Sequence, residues 1–236
     1  MRVLTEGRIE VVGRLIASTN HALLCRVSLP CPPPEPPIVL DAVYKPIRGE
    51  RPLDDFPDGT LAHREVAAFA VSEAIGWRIV PETVLRDGPF GPGMVQRWVE
   101  VDPTVDVVAL VIEADARLRQ VAIFDAIVNN TDRKGGHLLP VPGGHIHGVD
   151  HGVCFSEVPK LRTVLWAWRG EGLTDMELAG VRRVRDALDG ALGEELGRLL
   201  EPGEVTATVR RADRLLRSGR FPQPSASWPA VPWPPF

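Results

Sequence analysis

Proline lacks a backbone N–H and has a fixed φ, so clustered prolines mark stretches where helices and central strands cannot run. This chain of 236 residues holds 23 prolines, and they are not spread evenly. Residues 30–37 (PCPPPEPP) hold six, and residues 218–236 (SGRFPQPSASWPAVPWPPF) hold six more. The other 209 residues hold 11, which is about the ~5% background of ordinary proteins. Proline therefore isolates one loop and one tail, and leaves the rest of the chain free to build regular elements.

Hydrophobic periodicity supplies the order of those elements. Ile9, Val11 and Val12 before Gly13, and Ala22–Leu29, read as two strands around a polar turn at 17–21. Ile38–Lys45 follows the proline loop as a third, so an antiparallel meander is expected. Residues 46–60 read as polar loop. A helix is predicted over Leu61–Ile75, with Thr60 as N-cap and Gly76 as stop. Residues 79–85 and 94–101 read as two further strands around the turn Asp87–Gly93, whose GPFGPG lacks the GK[ST] ending of a phosphate loop. Residues 106–112 fit helix or strand. Asp115–Val128 has the spacing of a helix that buries Leu118, Val121, Phe124 and Ile127. Residues 129–137 form a loop, 138–141 and 145–149 a hairpin, and Leu173–Leu200 and Glu204–Arg217 amphipathic helices.

The expectation is an α+β protein in two lobes. Residues 1–100 would form a small antiparallel sheet plus one helix, and residues 101–217 a mainly helical lobe. Residues 218–236 would form a Pro/Trp-rich tail, a candidate segment for docking on a partner or on the chain itself.

Composition narrows the function. With 31 acidic against 27 basic residues the net charge is −4, so the basic field of a nucleic-acid binder is missing. No apolar run approaches the ~20 residues that span a bilayer, and the first residues lack a signal-peptide core. A cytoplasmic protein without integral membrane association is expected. Cys25, Cys31 and Cys154 form no CxxC and read as reduced thiols. Only Lys45, Lys134 and Lys160 among the 27 basic residues are lysine. A lysine here draws notice, because arginine does not replace a point charge.

Four polar residues sit at the ends of these elements. Lys45 ends a strand, Glu65 lies on the next helix, Asp132 falls in the loop after a later helix, and Asp150 follows a strand and precedes Gly152. A strand lysine paired to a helix glutamate can be held over a phosphate. One Asp can orient or deprotonate an attacking hydroxyl, and the other can hold a cation on the phosphates. Phosphoryl transfer needs these parts, since its catalysis is mostly positioning and charge neutralisation. Asp125, at the end of the preceding helix's apolar stripe, reads as a buried hydrogen-bonding residue, and Arg133 in the loop as a structural partner of the loop carboxylates. Asn130 fits either a backbone cap or an orienter of the loop. A rival reading rests on histidine. His137, His145, His147 and His151 lie in a short window and, with Asp132 or Asp150, could form the metal site of a hydrolase. No HExxH accompanies them.

The stretch IFDAIVNNTDRKGGHLL at 123–139, followed by VDHGVCF at 149–155, resembles the catalytic and metal-binding loops of phosphatidylinositol 3/4-kinases, the type II 4-kinases above all. HipA-like bacterial kinases share much of that pattern. Over about residues 8–165 the chain is similar to a small actinobacterial family of distant phosphatidylinositol-kinase-like proteins. The resemblance implies a two-lobed protein-kinase-like fold, ATP with Mg²⁺ or Mn²⁺, and a hydroxyl acceptor on a protein or small molecule. It implies Asp132 as catalytic Asp, Asp150 as metal ligand, and Lys45, paired to Glu65, on the α/β-phosphates. Ser18, Thr19 and Asn20 would lie in the phosphate-covering loop, and the backbone of Gln96, Arg97 and Trp98 would meet the adenine. His137 stands where the family's second metal ligand is Asn, and the covering loop has no glycine between Ala17 and His21. These departures keep a nucleotide-binding pseudokinase that regulates a partner beside the active kinase.

Overall fold

The structure, a computed structural model, describes residues 1–15 and 21–236. Strands β1 (Arg8–Arg14), β2 (Leu23–Leu29), β3 (Ile38–Pro46), β4 (Thr83–Gly88) and β5 (Gly91–Arg97) form one antiparallel sheet in the order β1-β2-β3-β5-β4. The proline run 30–37 is the β2–β3 connection, outside every ladder. Cys25, Val27, Ala42, Tyr44, Val84 and Val95 bury one face of the sheet together with Leu4. Leu4 belongs to α1 (Arg2–Glu6), a helix too short to show a period in sequence. Arg86 Nη1 closes its end by donating to Leu4 O at 2.8 Å and Gly7 O at 2.9 Å.

Side chains alternate along a strand. With Ala42 and Tyr44 buried in that cluster, Val43 and Lys45 face the opposite side. The β4–β5 hairpin fixes this register. Tyr44 donates its hydroxyl to Gly91 O at 2.5 Å, and a Cβ at Gly88 or Gly93 would come within 2.7 or 2.8 Å of the Tyr44 ring. The glycine-rich stretch is thus the seat of Tyr44. The hairpin is shorter than expected: β4 starts only at Thr83, and β5 leaves the ladder after Arg97, so 98–101 are not strand.

Helix α2 (Leu61–Ile75) packs on the free face through Ala62 and Val66 against Met94. Its other sides are buried too, with Ala67, Ala68, Val71 and Ile75 in the main core. Enclosed except around the exposed Glu73, the helix lacks the broad polar face that a surface helix shows. Gly76 ends it with φ 80, as expected. Thr60 does not cap it: its hydroxyl donates to Pro57 O. The cap is the Glu50 carboxylate, which accepts from Leu61 N at 3.1 Å and Ala62 N at 2.8 Å. Arg64, 1% exposed, pairs with Glu204 at 2.7 Å and donates to Cys154 O at 2.8 Å, so α2 is anchored to the helical part.

That part begins with α3 (Val107–Ile112), capped by the Asp106 side chain, which settles the 106–112 stretch as helix. A 3₁₀ turn at Ala116–Leu118 leads into α4 (Arg119–Val128). The hairpin β6 (Leu138–Pro140)–β7 (Ile146–Gly148) follows. The long helix expected over 173–200 is two, α5 (Asp175–Leu188) and α6 (Ala191–Leu199), broken where Gly190 adopts φ −139, ψ −129. Helix α7 (Pro202–Ser218) completes the layer. Phe124, Ile127, Val181, Val184 and Leu196 lie at the centre of the main core. Residues 219–236 run back over this part without a helix of their own. Among the described residues no helix is long and apolar enough to cross a membrane.

Candidate active site

Lys45 projects from β3 into the cleft between the sheet and the helical part. Its ammonium meets Glu65 Oε1 of α2 at 2.7 Å and Asp150 Oδ1 at 2.8 Å. Burial of Lys45 disfavours its charge, but the Asp150 and Glu65 carboxylates outweigh that, and its pKa is raised. The Lys45 ammonium, helped by His137, holds Asp150 well below the usual carboxylate range. Glu65 is buried and Asp150 half exposed, so the three charges form a ladder from the core to the cleft.

Asp150 sits at φ 62, a left-handed conformation that is uncommon outside glycine. Both flanks hold it there. Arg133 Nη1 donates to Val149 O at 3.0 Å, and His151 N donates to Glu65 Oε2 at 2.9 Å. Glu65 therefore binds the lysine with one oxygen and the backbone beside Asp150 with the other.

The loop after α4 is built on a buried ion pair. Arg133 and Asp125, both 0% exposed, meet at 3.0 Å through Nη2 and Nε. Asn130 donates to Asp125 Oδ1 at 3.0 Å and accepts from Asp132 N at 2.9 Å, so it orients the loop. The αL residue Asn129 ends α4 and clamps the 156–160 segment through Ser156 O, Val158 O and Lys160 N. Thr131 donates to Val153 O at 2.8 Å. These bonds tie the Asp132 loop to the Asp150 loop. Asp132 itself lies at the cleft edge, half-buried, with Lys134 Nζ 3.2 Å from its Oδ2.

Lys45 and Asp150 stand between two hollows. One, of about 340 Å³, is walled by Ala22, Val43, Trp98, Leu139 and Val149. Gln96 and Arg97 also line it. The amides of Arg97 and Trp98 are already bonded, to Glu82 O at 2.8 Å and Asp41 O at 2.9 Å, and the Gln96 side chain donates to Thr83 Oγ1. The other hollow, of about 390 Å³, is bounded by His21, Glu50, Arg51, Leu61, Asp132 and Val153. Ser18, Thr19 and Asn20 lie outside the described residues.

The histidines divide. His137 Nε2 lies 3.5 Å from Asp150 Oδ2. Its Nδ1 accepts from Lys134 N at 3.4 Å, and burial lowers its pKa. His151 is fully buried, 2.6 Å from Arg133 Nη2 and edge-on to Phe124. His145 and His147 face Arg78 O and Ile79 O, away from Asp132 and Asp150. Among the described residues no group of three or more His, Cys, Asp or Glu could hold a metal ion. The hydrolase reading thus loses its ligand set. A magnesium ion needs no such set when it arrives on phosphates, since it is commonly held by one or two carboxylates plus phosphate oxygens and water. Asp150, half exposed and facing the cleft, fits that demand.

Two residues here escaped the sequence reading. Glu50 lies 11 residues before the helix it caps, beyond any local capping rule. Lys134 had a signal, the rarity of lysine, but no partner until the loop placed it against Asp132.

No family model matches the chain. The crystal structure of the Helicobacter pylori proinflammatory kinase CtkA aligns with a TM-score of 0.50 and 13% identity, over 92% of this chain and 94% of that one. HipA of Shewanella oneidensis MR-1, solved with HipB and operator DNA, aligns with a TM-score of 0.41 and 11% identity, over 89% of this chain and 65% of that one. The alignment with CtkA makes the architecture a two-lobed, kinase-like α+β fold. In sequence the chain is 40% identical to Protein Rv2133c of Mycobacterium tuberculosis (strain ATCC 25618 / H37Rv), over 99% of this chain and 94% of the relative. The chain belongs to the family of Protein Rv2133c.

Proposed function

We propose that this protein is an ATP- and metal-dependent phosphotransferase of the atypical, phosphatidylinositol 3/4-kinase-like type, acting on a hydroxyl of a protein or small molecule. The observation that carries the reading is the Glu65–Lys45–Asp150 ladder, with 2.7 and 2.8 Å contacts at the floor of a cleft whose edge carries Asp132. The kinase-like fold supports it. In this reading residues 1–100 form the nucleotide-covering lobe and 101–217 the lobe that carries the catalytic and metal loops. The apolar hollow takes the adenine. Lys45 neutralises the α/β-phosphates while Glu65 keeps it aimed, and Asp132 orients the acceptor hydroxyl and accepts its proton. A divalent cation bound with the nucleotide would offset phosphate charge, and Asp150 would hold it. His137, whose Nε2 lies 3.5 Å from Asp150 Oδ2, would stand beside that cation as the candidate second ligand.

A pseudokinase is the second reading. It is favoured by His137, an imidazole where the resembled family has a ligand amide. ATP binding and turnover with Mg²⁺ and Mn²⁺, for wild type, Asp132→Ala and Asp150→Ala, separate the two. Turnover in wild type that Asp132→Ala abolishes, with ATP binding kept, supports the phosphotransferase. Binding without turnover in any acceptor pool supports the pseudokinase. No ATP binding at all refutes both.

A further inference from the structure

We infer that residues 228–236 form an intramolecular strap that positions the Asp132 loop, and that Phe236 is its positioning residue. The inference rests on the phosphotransferase reading only for the role of Asp132; the contact itself does not depend on it. Three anchors define the strap. Lys160 Nζ lies 4.3 Å over the Trp228 ring and also pairs with Asp55, in the loop beside the cleft. Ala230 O accepts from Thr163 N at 3.0 Å and from Trp166 Nε1 at 2.8 Å. Pro235 O accepts from Gly135 N at 2.8 Å, three residues beyond Asp132.

Between the strap and the loop runs the segment 162–164. Arg133 N donates to Arg162 O at 3.0 Å, and Val164 N donates to Arg133 O at 3.1 Å. Loop, segment and strap thus lie as three bonded layers, with the buried Arg133–Asp125 pair beneath them.

Gly135 is the seat of the Phe236 ring. A Cβ on Gly135 would overlap the Phe236 ring. The backbone of Gly135 is not left-handed, so close approach of the ring, and not φ, is what calls for glycine. Its neighbour Gly136 meets nothing within 4 Å where a Cβ would stand. The two glycines of one Lys-Gly-Gly-His stretch therefore answer differently to the same substitution. A loop held on one side by Asn130 and on the other by the strap keeps the Asp132 carboxylate in a single place. Phosphoryl transfer depends on such placement, where a 1 Å error costs on the order of 10²-fold.

The test is hydrogen exchange on the full chain without nucleotide, paired with Mg²⁺–ATP kinetics. Phe236→Ala and Gly135→Ala should each speed exchange of the 130–137 amides by about tenfold or more, as local opening loses a bonded partner. Gly136→Ala should leave that exchange unchanged. In kinetics Phe236→Ala should lower kcat by roughly 10- to 100-fold with the KM for ATP held within about twofold, and Phe236→Leu should recover most of the loss. Unchanged exchange in Phe236→Ala would overturn the strap. A rise in turnover would overturn the positioning role, since the segment would then be an inhibitor. A wild type that binds no ATP sinks the phosphotransferase reading alone, and the exchange comparison still decides the strap.

Discussion

Lys45 and Asp150, 105 positions apart in the chain, share a 2.8 Å ion pair at the floor of the cleft. Lys45 keeps a second carboxylate, Glu65, at 2.7 Å, so it stays compensated when Asp150 turns away. Asp150 is half exposed, so in the proposed phosphotransferase it would exchange the ammonium for a cation carried on phosphates, and the pair would act as a latch that nucleotide and metal open together.

Asp150→Asn should uncouple nucleotide from metal. Titration calorimetry with ATP, in Mg²⁺ and in EDTA, measures the coupling as a ratio of affinities. The wild type should bind at least tenfold more tightly with Mg²⁺, and the variant should show a ratio near one. Turnover should fall by about 10²- to 10³-fold, as expected when a group that stabilises transition-state charge is lost. An intact Mg²⁺ dependence in Asp150→Asn would assign the cation to other ligands.

Asp125→Ala leaves the Arg133 guanidinium buried without its carboxylate. Removing one partner of a buried pair costs about 3–5 kcal/mol. Arg133 keeps only neutral partners, Val149 O, His137 O and His151. Urea unfolding should show that loss, and the Asp125→Leu/Arg133→Met double variant should be less destabilised than Asp125→Ala. A loss below about 1 kcal/mol in the single variant would mean that water compensates the charge.

The order of the site was legible in sequence because three of its residues, Lys45, Asp132 and Asp150, sit where a periodic pattern stops. Lys45 ends an alternating run, Asp132 follows a helical period, and Asp150 precedes a glycine. Arg133 could be read as structural because Asp132 precedes it in a loop that opens just after Asp125. What stayed hidden depends on contacts between distant parts of the chain. Glu50 caps α2 across a loop, and α1 packs five residues under the sheet. The break at Gly190 left no trace because the apolar period resumes on its far side. The proline-rich segment looked detached from the chemistry, since no local rule shows that Phe236 fills the space a side chain at Gly135 would need.

Acid should weaken the molecule through Glu177 as well. Its carboxylate is 7% exposed, meets Arg119 Nε at 2.7 Å and Nη2 at 3.0 Å, and caps α5 by accepting from Thr174 N at 2.8 Å. Burial raises its pKa, but the Arg119 and Thr174 bonds outweigh that, and the value is lowered in the folded state. A depressed carboxylate contributes stability that is full above its unfolded pKa, near 4.3. That stability is lost as pH falls through the folded value. Glu177→Gln should therefore cost roughly 1–3 kcal/mol at pH 7 and progressively less toward pH 3. Denaturation midpoints from pH 7 to pH 3 check this, and a cost that stays constant would assign the effect to packing.

Val43→Trp tests where the nucleotide lies. Alternation on β3 turns Val43 into the hollow of about 340 Å³, opposite Leu139 and Val149 and beside Trp98. The side chain is half-buried at the cleft wall and outside the sheet's own cluster around Tyr44, so a larger group there extends into the hollow and leaves the core packing intact. An indole fills much of the space a purine needs. ATP affinity should fall by tenfold or more, about 1.4 kcal/mol, while the melting temperature stays within a few degrees of wild type. The charge ladder at Lys45 is untouched, so inorganic triphosphate should bind the variant as it binds wild type. An unchanged ATP affinity would move the base out of this hollow and would leave the phosphates alone at the Lys45–Asp150 floor.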